Sequence, residues 1–492
     1  MAALKVLLLS SEAVPFAKSG GLADVCGILP KFLHRMGIDV RLVMPRYHGI
    51  DPAGNGLQPV GGPLGVPMGI IGEQWCAVLE GRLPGSTVPV YFIDHYDYFG
   101  RDSLYNDDQG RGFLDNDNRF VFFSRAALQL CRMLAWEPDV CHANDWQTAA
   151  ATLFLNTHYA HDPLFRDTAG VLTIHNMQHQ GTFYPGLMEV LGVGREHFTA
   201  SELEWRGQVN LLKGGIYHSQ QFSTVSRGYA REIQTSECGW GLEDCVREKS
   251  WALHGILNGM DYEEWNPASD RLIPANYDAD DLGGKAICKA ALQSRFGLPV
   301  NPDVPLIGLV GRLVEQKGVD LIAEALPMIL ALDVQVVLLG NGEPWTHFYF
   351  GDMKLAHPGK FNCHIGYCNE LAHLIEAGAD FFLMPSRFEP CGLNQMYSLR
   401  YGTIPIVRAT GGLDDTVENF EEAGSTGTGF KFWAATARAL FDTVGWALYT
   451  WYNRPDAIAA LRRSGMAKRF TWEQAAQQYV DMYREALRIK RS

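Results

Sequence analysis

A turn rich in proline and glycine carries the carboxylate with the clearest chemical use in this chain. The turn follows the apolar run Phe381–Met384, which Pro385 and Pro390 prevent from continuing. Glu389 lies in the turn, and Gly392 opens a helix-like segment. At the carboxyl end of a strand in a parallel α/β sheet, such a carboxylate can bind a polyol. The alternative is that Glu389 only favours the positive end of the next helix.

A glycine-rich loop near the start of the chain has residue types suited to a phosphate. Lys18, Gly20 and Gly21 lie between a buried-type strand at 6–9 and an apolar pattern of helical spacing from Val25. The glycines let backbone N–H groups approach a ligand closely, and the lysine adds a positive charge. The pattern differs from the dinucleotide motif GxGxxG, and a plain glycine-rich turn beside a solvated lysine is the alternative.

Two cations follow the first strand of the second half of the chain. Arg312 and Lys317 lie in the stretch GRLVEQKG, and Thr410 and Gly411 follow a later strand and offer backbone donors. Arginine and lysine alone would indicate a solvated pair. Because they accompany two glycine-rich loops, a diphosphate site is the better interpretation.

Polar residues recur at further strand ends. Asp145 follows a strand-like run at 140–142, and His175 follows another at 171–174. Asp145 could instead cap a helix, and His175 could be a hydrogen-bonded surface residue. Tyr367 could stack on a base or belong to the core. The recurrence of polar residues at strand ends strengthens the functional interpretation of His175, whereas the alternatives for Asp145 and Tyr367 stay open at this point.

The elements that must position these residues alternate between strand and helix in both halves of the chain. This order predicts an α/β protein with two doubly wound domains. We place the first domain at 1–257, the second at 258–470, and a terminal helix at 471–492 that returns to the first domain. Residues 50–118 are expected to form long surface loops around one or two strands, such as 88–93.

Composition limits the classes of function. A chain of 492 residues, 47% hydrophobic, is too long for one ordinary core. A net charge of −13 argues against nucleic-acid or anionic-membrane partners, which require surplus lysine and arginine. The sequence shows no apolar run long enough to span a membrane and no signal peptide. Its ten cysteines include no CxxC pair, which is typical of reduced thiols in the cytoplasm.

Seven longer motifs contain most of these candidate residues, and in chain order they are KSGGLADV, HANDW, TIHN, LNGMDYEEWNP, GRLVEQKG, SRFEPCGLNQ and TGGLDDTV. Taken together and in this order, they resemble the motifs of the bacterial glycogen synthases and plant starch synthases, which are retaining glucosyltransferases. The resemblance is weakest over 50–118 and 343–360. It implies the GT-B architecture, in which two Rossmann-like domains face a deep cleft. It also implies transfer of glucose from ADP-glucose to the non-reducing end of an α-1,4-glucan in a bacterial cytoplasm, with no cofactor and no metal ion.

The resemblance further implies a role for each candidate residue. The catalytic group would be Glu389, Arg312, Lys317, His175 and Asp145. The donor would be bound by Lys18, Gly20, Gly21, Asp24, Asn176, Asn258, Tyr367, Cys391, Gly392, Thr410 and Gly411, with Asp24 and Tyr367 near the nucleoside. The acceptor side would be lined by Glu12 and Asp145.

The chain departs from the wider pattern of retaining transferases at three places. Tyr397 stands where many relatives carry a second glutamate, so we expect one carboxylate and not a pair. Gly311 stands where many have serine, and Asn341–Pro344 replaces a Gly-Asp-Pro pattern. Because no unambiguous nucleophile stands out, we expect the acceptor to attack from the face the diphosphate leaves, with the His175 carbonyl steadying the positive charge on the sugar.

Several alternatives stay open at this point. The donor could be UDP-glucose. The enzyme could be a glycoside hydrolase that uses Asp145 and Glu389 as its carboxylate pair, although the cationic loops would then lack a purpose. An NAD-dependent oxidoreductase is disfavoured because GxGxxG is absent after the first strand. A catalytically silent glucan-binding protein is disfavoured because every polar strand end carries candidate residues.

Overall fold

The computed structural model describes residues 3–492. The chain divides into two compact units. The first comprises the residues up to 225 together with 230–256 and 472–492, and the second comprises 226–229 and 257–471. The crossing into the second unit at Leu257 lies one residue before the predicted boundary.

The first unit is built on strands that lie mostly parallel. In chain order the strands are β1 Lys5–Leu9, β2 Asp39–Pro45, β3 Gln58–Pro59, β4 Leu64–Pro67, β5 Glu73–Arg82, β6 Pro89–Asp94, β7 Val140–Asn144, β8 Ala169–Ile174, β9 Thr182–Phe183, β10 Glu204–Trp205, β11 Gln208–Asn210, β12 Gln221–Thr224 and β13 Leu253–Gly255. The main sheet has the order β13-β12-β8-β7-β1-β2-β6-β5-β3, with β4 paired to β5, and β10-β11-β9 form a small separate sheet. Every residue of β7 and β8 is buried, as expected for parallel strands covered on both faces.

Helices connect these strands. They are α1 Gly21–Arg35, α2 Tyr96–Phe99, α3 Asn116–Met133, α4 Trp146–Asn156, α5 Leu187–Leu191, α6 Leu211–His218, α7 Arg227–Glu232 and α8 Glu243–Glu248, with short 3-10 turns at Gly69–Ile71, Arg195–His197 and Ser250–Ala252.

The prediction of surface loops over most of 50–118 is wrong. Strands β3 and β4 both pair antiparallel with β5, and β5 pairs antiparallel with β6. Within β5, Cys76 and Val78 are buried, whereas Trp75 is exposed. This alternation is the period of a strand with one buried face, and the many glycines and prolines around it obscured the pattern.

The second unit repeats the parallel arrangement. Its strands are β14 Leu306–Leu313, β15 Gln335–Gly342, β16 Phe361–Ile365, β17 Phe381–Met384, β18 Ile404–Arg408 and β19 Phe430–Phe432. Their order is β16-β15-β14-β17-β18-β19, and all pairs are parallel. The helices are α9 Gly283–Arg295, α10 Val319–Leu330, α11 Pro344–Ala356, α12 Asn369–Gly378, α13 Asn394–Arg400, α14 Gly411–Thr416, α15 Ala437–Asn453 and α16 Pro455–Ala467, with a 3-10 turn at Glu315–Lys317.

The last helix, α17 Trp472–Lys490, belongs to the first unit. It packs on α1 and on strands β8 and β12. Tyr483 lies on the buried face of α17. Its hydroxyl oxygen is 2.8 Å from Nδ1 of His142 in β7. Within residues 3–492, no helix has the length and apolar character needed to cross a membrane.

Candidate functional site

Each unit has one point where the connections from neighbouring parallel strands run in opposite directions. In the first unit this point lies between β1 and β7, since β1 is followed by β2 on its other side. In the second unit it lies between β14 and β17. Ligands of open α/β sheets bind outside the carboxyl ends of strands at such points. Several predicted site residues follow these strands, among them Glu12 after β1, Asp145 after β7 and Glu389 after β17.

In the first unit, the carboxylate of Glu12 holds the glycine-rich loop. Its Oε1 accepts hydrogen bonds from the hydroxyls of Ser19 and Tyr105, both at 2.6 Å. Its Oε2 accepts hydrogen bonds from the backbone N–H of Ser19 and, at 3.3 Å, from that of Gly20. Glu12 is buried, and both of its oxygens bind protein groups. The side chain therefore shapes the loop directly, and its acceptor-side role stays a prediction.

The loop itself presents a cation and a helix N-terminus. Lys18 Nζ lies 2.7 Å from Oδ1 of Asp24, and the Lys18 side chain is 53% exposed. Because this ion pair is exposed, it contributes little to stability. An anionic ligand can therefore replace Asp24 as the partner of Lys18. Gly20 precedes α1 and Gly21 begins it, and a Cβ at either position would meet no atom within 4 Å. The open space beside these glycines suits a ligand at the positive end of α1.

Asp145 organises the turn after β8. Its Oδ1 accepts a 2.7 Å hydrogen bond from the backbone N–H of His175, and the N–H of Asn176 also donates to the carboxylate. Burial raises the pKa of Asp145 to about 7, and the two N–H bonds oppose that rise. Asp145 occupies the N-cap position of α4, but its side chain makes no cap bond to that helix and binds the turn after β8 instead. The structure thus brings Asp145, His175 and Asn176 together.

The histidine of this turn is buried and neutral. Its Nε2 lies 2.9 Å from Oδ1 of Asn144, whose Nδ2 donates to the carbonyl of Leu9. Burial lowers the pKa of His175 to about 3. The alternative of a surface histidine is therefore wrong, since the ring is buried and joins the turn to the carboxyl ends of β7 and β1.

In the second unit, Lys317 and Glu389 form an ion pair although they are far apart in sequence. Lys317 Nζ donates to Oε2 of Glu389, and the hydroxyl of Ser386 donates to the same oxygen at 3.2 Å. Oε1 of Glu389 has no hydrogen-bond partner among the described residues. The carboxylate is 6% exposed. A buried, paired carboxylate with one free oxygen can accept a hydroxyl from a ligand.

A pocket of about 140 Å³ lies at the carboxyl ends of β14 and β17. It contains both predicted cations, and the guanidinium of Arg312 donates to Oε1 of Gln316 at 2.9 Å. Two cations in one small pocket suit a diphosphate. Polar or glycine residues that line it are Gly311, Arg312, Lys317, Ser386, Gly392 and Asn394.

Close backbone approaches join the loops of this pocket. Gly318 has φ +70°, and a Cβ there would lie 2.1 Å from the carbonyl oxygen of Pro385. A Cβ on Gly412 would lie 2.0 Å from the carbonyl oxygen of Cys391. The N–H of Gly412 donates to the carbonyl of Glu389 at 3.0 Å. Glycine at these positions therefore allows the three loops to converge on the Glu389 turn.

The remaining predicted donor residues differ in their surroundings. Asn258 is buried, it hydrogen-bonds the Cys391 thiol, and burial raises the pKa of that thiol to about 12. Oδ1 of Asn258 has no hydrogen-bond partner among the described residues. Thr410 is buried and precedes Gly411, the first residue of α14. Tyr367 is 85% exposed, so the alternative of a core tyrosine is wrong, and its stacking on a base stays a prediction.

Comparison with known proteins agrees with this arrangement. A family model for the starch synthase catalytic domain matches residues 5–248, and one for glycosyl transferases group 1 matches residues 292–451. Glycogen synthase 1 of Geobacter metallireducens is 64% identical over 488 residues, which cover 99% of this chain and 97% of the relative. This chain belongs to the glycogen and starch synthase family. It is a glycosyltransferase, so the hydrolase, oxidoreductase and silent-binder alternatives are wrong.

Solved structures agree with this family assignment. The catalytic domain of starch synthase IV from Arabidopsis thaliana, bound to ADP and acarbose, is 32% identical with a TM-score of 0.89 over 99% of this chain and 100% of that one. A sucrose-phosphate synthase from Thermosynechococcus elongatus, at 17% identity and a TM-score of 0.59, covers 98% of both chains and shares the fold. The predicted GT-B architecture of two Rossmann-like domains is confirmed.

Three residues of this glycogen and starch synthase family member take part in the site but were missed by sequence reasoning. Ser386 and Gln316 lie inside the motifs SRFEPCGLNQ and GRLVEQKG. Nothing in the sequence marks their contacts to Glu389 and Arg312 separately from those motifs. Tyr105 lies in the region predicted as loops, and its bond to Glu12 joins residues far apart in sequence. Only the serine and the glutamine could have been found, as polar neighbours within the motifs.

Proposed function

We propose that this chain transfers glucose from ADP-glucose to the non-reducing end of an α-1,4-glucan, with retention of the anomeric configuration. The observation that carries the proposal is the second-unit pocket, in which Arg312 and Lys317 meet beside the turn that holds Glu389. The 64% identical relative named glycogen synthase 1 and the plant synthase bound to ADP support the same reaction. The partners we infer are a nucleotide-sugar donor and a glucan acceptor in a bacterial cytoplasm.

The pocket is suited to stabilising a leaving diphosphate. When the bond from the anomeric carbon to the phosphate oxygen breaks, the electron pair stays on the diphosphate, whose negative charge increases. Arg312 and Lys317 are placed to neutralise that charge. A preorganised donor of this kind contributes about 3–4 kcal/mol to transition-state stabilisation. Lys317 is held in position by Glu389, so its ammonium needs little reorganisation.

Glu389 has a second use in this proposal. Its Oε2 holds Lys317, while Oε1 is free to accept a hydrogen bond from a glucose hydroxyl. A bound sugar oriented in this way pays less entropy when it reacts. The bond that forms joins the acceptor hydroxyl oxygen to the anomeric carbon. The acceptor's proton passes to an oxygen of the leaving phosphate, so a dedicated base is not required.

The test is incubation of the purified chain with ADP-glucose or UDP-glucose, with and without a glycogen primer. We expect release of ADP that depends on the primer, with radiolabelled glucose incorporated into polymer. Incorporation should be several-fold faster from ADP-glucose than from UDP-glucose. The Glu389→Gln variant serves as the control for contaminating synthase. Equal or faster use of UDP-glucose would overturn the donor assignment, and ADP release with no polymer growth would overturn the reaction.

A further inference from the structure

Three potential metal ligands meet in the first unit at a place the proposed reaction does not use. His218 is the last residue of α6, directly before the amino end of β12. His197 ends the 3-10 turn Arg195–His197, and Glu202 follows it in the same connection. Asp145 and His175 follow the carboxyl ends of β7 and β8. The cluster therefore lies at the opposite edge of the sheet from the candidate site.

The two histidines converge on one carboxylate oxygen. Nδ1 of His197 lies 2.6 Å from Oε2 of Glu202, and Nε2 of His218 lies 3.1 Å from the same atom. All three candidate ligand atoms lie within 4.8 Å of one another. Ligands of a tetrahedral Zn²⁺ lie about 2.0–2.2 Å from the metal and hence about 3.3 Å apart. Rotation of the three side chains that brings their ligand atoms to this spacing would admit the ion.

The backbone that carries these ligands is held firmly. Lys213 is buried, and its Nζ donates to the carbonyl of Ala200 at 2.6 Å and to that of Glu204, one on each side of Glu202. The N–H of Leu203 donates to the carbonyl of His197 at 3.3 Å. On the other element, Nδ2 of Asn156 donates to the carbonyl of His218 at 2.6 Å. The ligands are thus preorganised, which lowers the entropy lost on binding an ion.

The Lys249 cation lies near His218 and would repel a metal ion if it were unpaired. The Lys249 ammonium donates to the carbonyls of Ile216, Tyr217 and Ser219, so its charge is engaged by the end of α6. The side chains of the two histidines and the glutamate are 11–28% exposed, which leaves an entry path.

We propose that His197, Glu202 and His218 form a binding site for a divalent transition-metal ion, with Zn²⁺ as the best match. Two imidazole nitrogens and one carboxylate oxygen are a ligand set that Zn²⁺ accepts, with water in the fourth position. In each histidine the proton on the ligating nitrogen exchanges to the other ring nitrogen through solvent. The ion joins the 195–202 connection to the end of α6, so its effect is on stability and not on the transfer reaction.

The test uses the full chain stripped of metal with EDTA and dialysed. Titration with ZnCl₂ in a calorimeter should show a one-to-one site, and the melting temperature should rise with Zn²⁺. Substitution by Co²⁺ should give the visible absorption of tetrahedral nitrogen and oxygen ligation. Glu202→Gln and His218→Gln should each weaken Zn²⁺ binding by about tenfold or more, since even the loss of a supporting group has that effect.

Matched controls separate this site from others. His161 is an exposed histidine in the same unit, and His161→Gln should bind Zn²⁺ as the wild type does. Glu202→Gln keeps an oxygen that can accept from both imidazoles, so its metal-free melting temperature should stay near that of the wild type. All variants should keep the wild-type rate of glucan synthesis. Absent binding by the wild type, binding unchanged in both ligand variants, or a thiolate charge-transfer band with Co²⁺ would each overturn the proposal.

Discussion

Tyr397 lies parallel to Trp265, with ring centroids 4.0 Å apart and an angle of 4° between the ring planes. Trp265 also stacks on His373, at 3.8 Å and 14°. Nδ1 of His373 lies 2.8 Å from Oδ2 of Asp270. These contacts fasten the segment 261–270 to helices α12 and α13. Position 397, where many retaining transferases carry a second glutamate, therefore has a packing role that a carboxylate cannot fill.

The first prediction concerns this stack. Tyr397→Phe keeps the ring and should unfold close to the wild type. Tyr397→Glu should lower the free energy of unfolding by about 1–3 kcal/mol, since it loses an aromatic pair and part of the buried apolar area. Denaturant unfolding of both variants, followed by tryptophan fluorescence, measures the difference. Equal stability of the two variants would refute the packing role.

A second prediction separates the catalytic and structural parts of the Lys317–Glu389 pair. Lys317→Met should lower kcat by about 10²–10³-fold, with a smaller effect on the donor KM. It should also destabilise the fold, because it leaves the buried Glu389 carboxylate unpaired. The double variant Lys317→Met with Glu389→Gln should recover stability but not rate. The rates and melting temperatures of the wild type, the two single variants and the double variant form a double-mutant cycle that checks this prediction. Recovery of the rate in the double variant would contradict a catalytic role for either residue.

The third prediction compares a glycine near the end of β14 with a glycine in the loop that follows this strand. Gly318 has a positive φ and lies against Pro385, so Gly318→Ala should strain the backbone and move Lys317 away from Glu389. We expect loss of both stability and kcat. Gly311 has open space around its Cβ position, so Gly311→Ser should change neither by much. Kinetics and thermal unfolding of both variants test the pair. If the two variants have similar kcat and stability, the close approach of Gly318 to Pro385 does not position Lys317.

The fourth prediction is a pH dependence of stability. His142 is buried between Tyr483 and Thr173, and burial lowers its pKa to about 3. In the unfolded chain a histidine titrates near pH 6.5. Between about pH 6.5 and 3 the unfolded state therefore binds one proton at His142 that the folded state does not bind. The contribution of His142 to the free energy of unfolding is therefore complete above pH 6.5 and decreases as the pH falls below 6.5. Between pH 7 and 5 the loss should be about 2 kcal/mol.

The His142→Gln variant provides the measurement for this dependence. Its free energy of unfolding should fall by about 2 kcal/mol less than that of the wild type between pH 7 and 5. His175, whose pKa burial lowers, and Asp145, whose pKa burial raises, act in both proteins and cancel in the comparison. His161→Gln, which changes an exposed histidine, should follow the wild type. Identical slopes for His142→Gln and the wild type would rule out the buried neutral ring as the cause.

The parts of this protein that depend on short segments could be predicted from its sequence. Apolar runs ended by glycine and proline predicted the parallel strands and the turns after them. The motifs around Lys18, Asp145, Arg312 and Glu389 placed the candidate residues at strand ends and indicated the family. These features are local, because strand period, turn residues and motif spacing are each contained within about ten residues.

The contacts among these residues depend on the tertiary structure. Two contacts join side chains more than seventy residues apart, and these are Lys317 with Glu389 and Glu12 with Tyr105. Both contacts depend on the order of strands in a sheet. The same holds for the antiparallel strands near β5 and for α17, whose Tyr483 reaches His142 across 341 residues. Local patterns cannot encode such contacts, because they depend on which strands become neighbours and on the burial that follows.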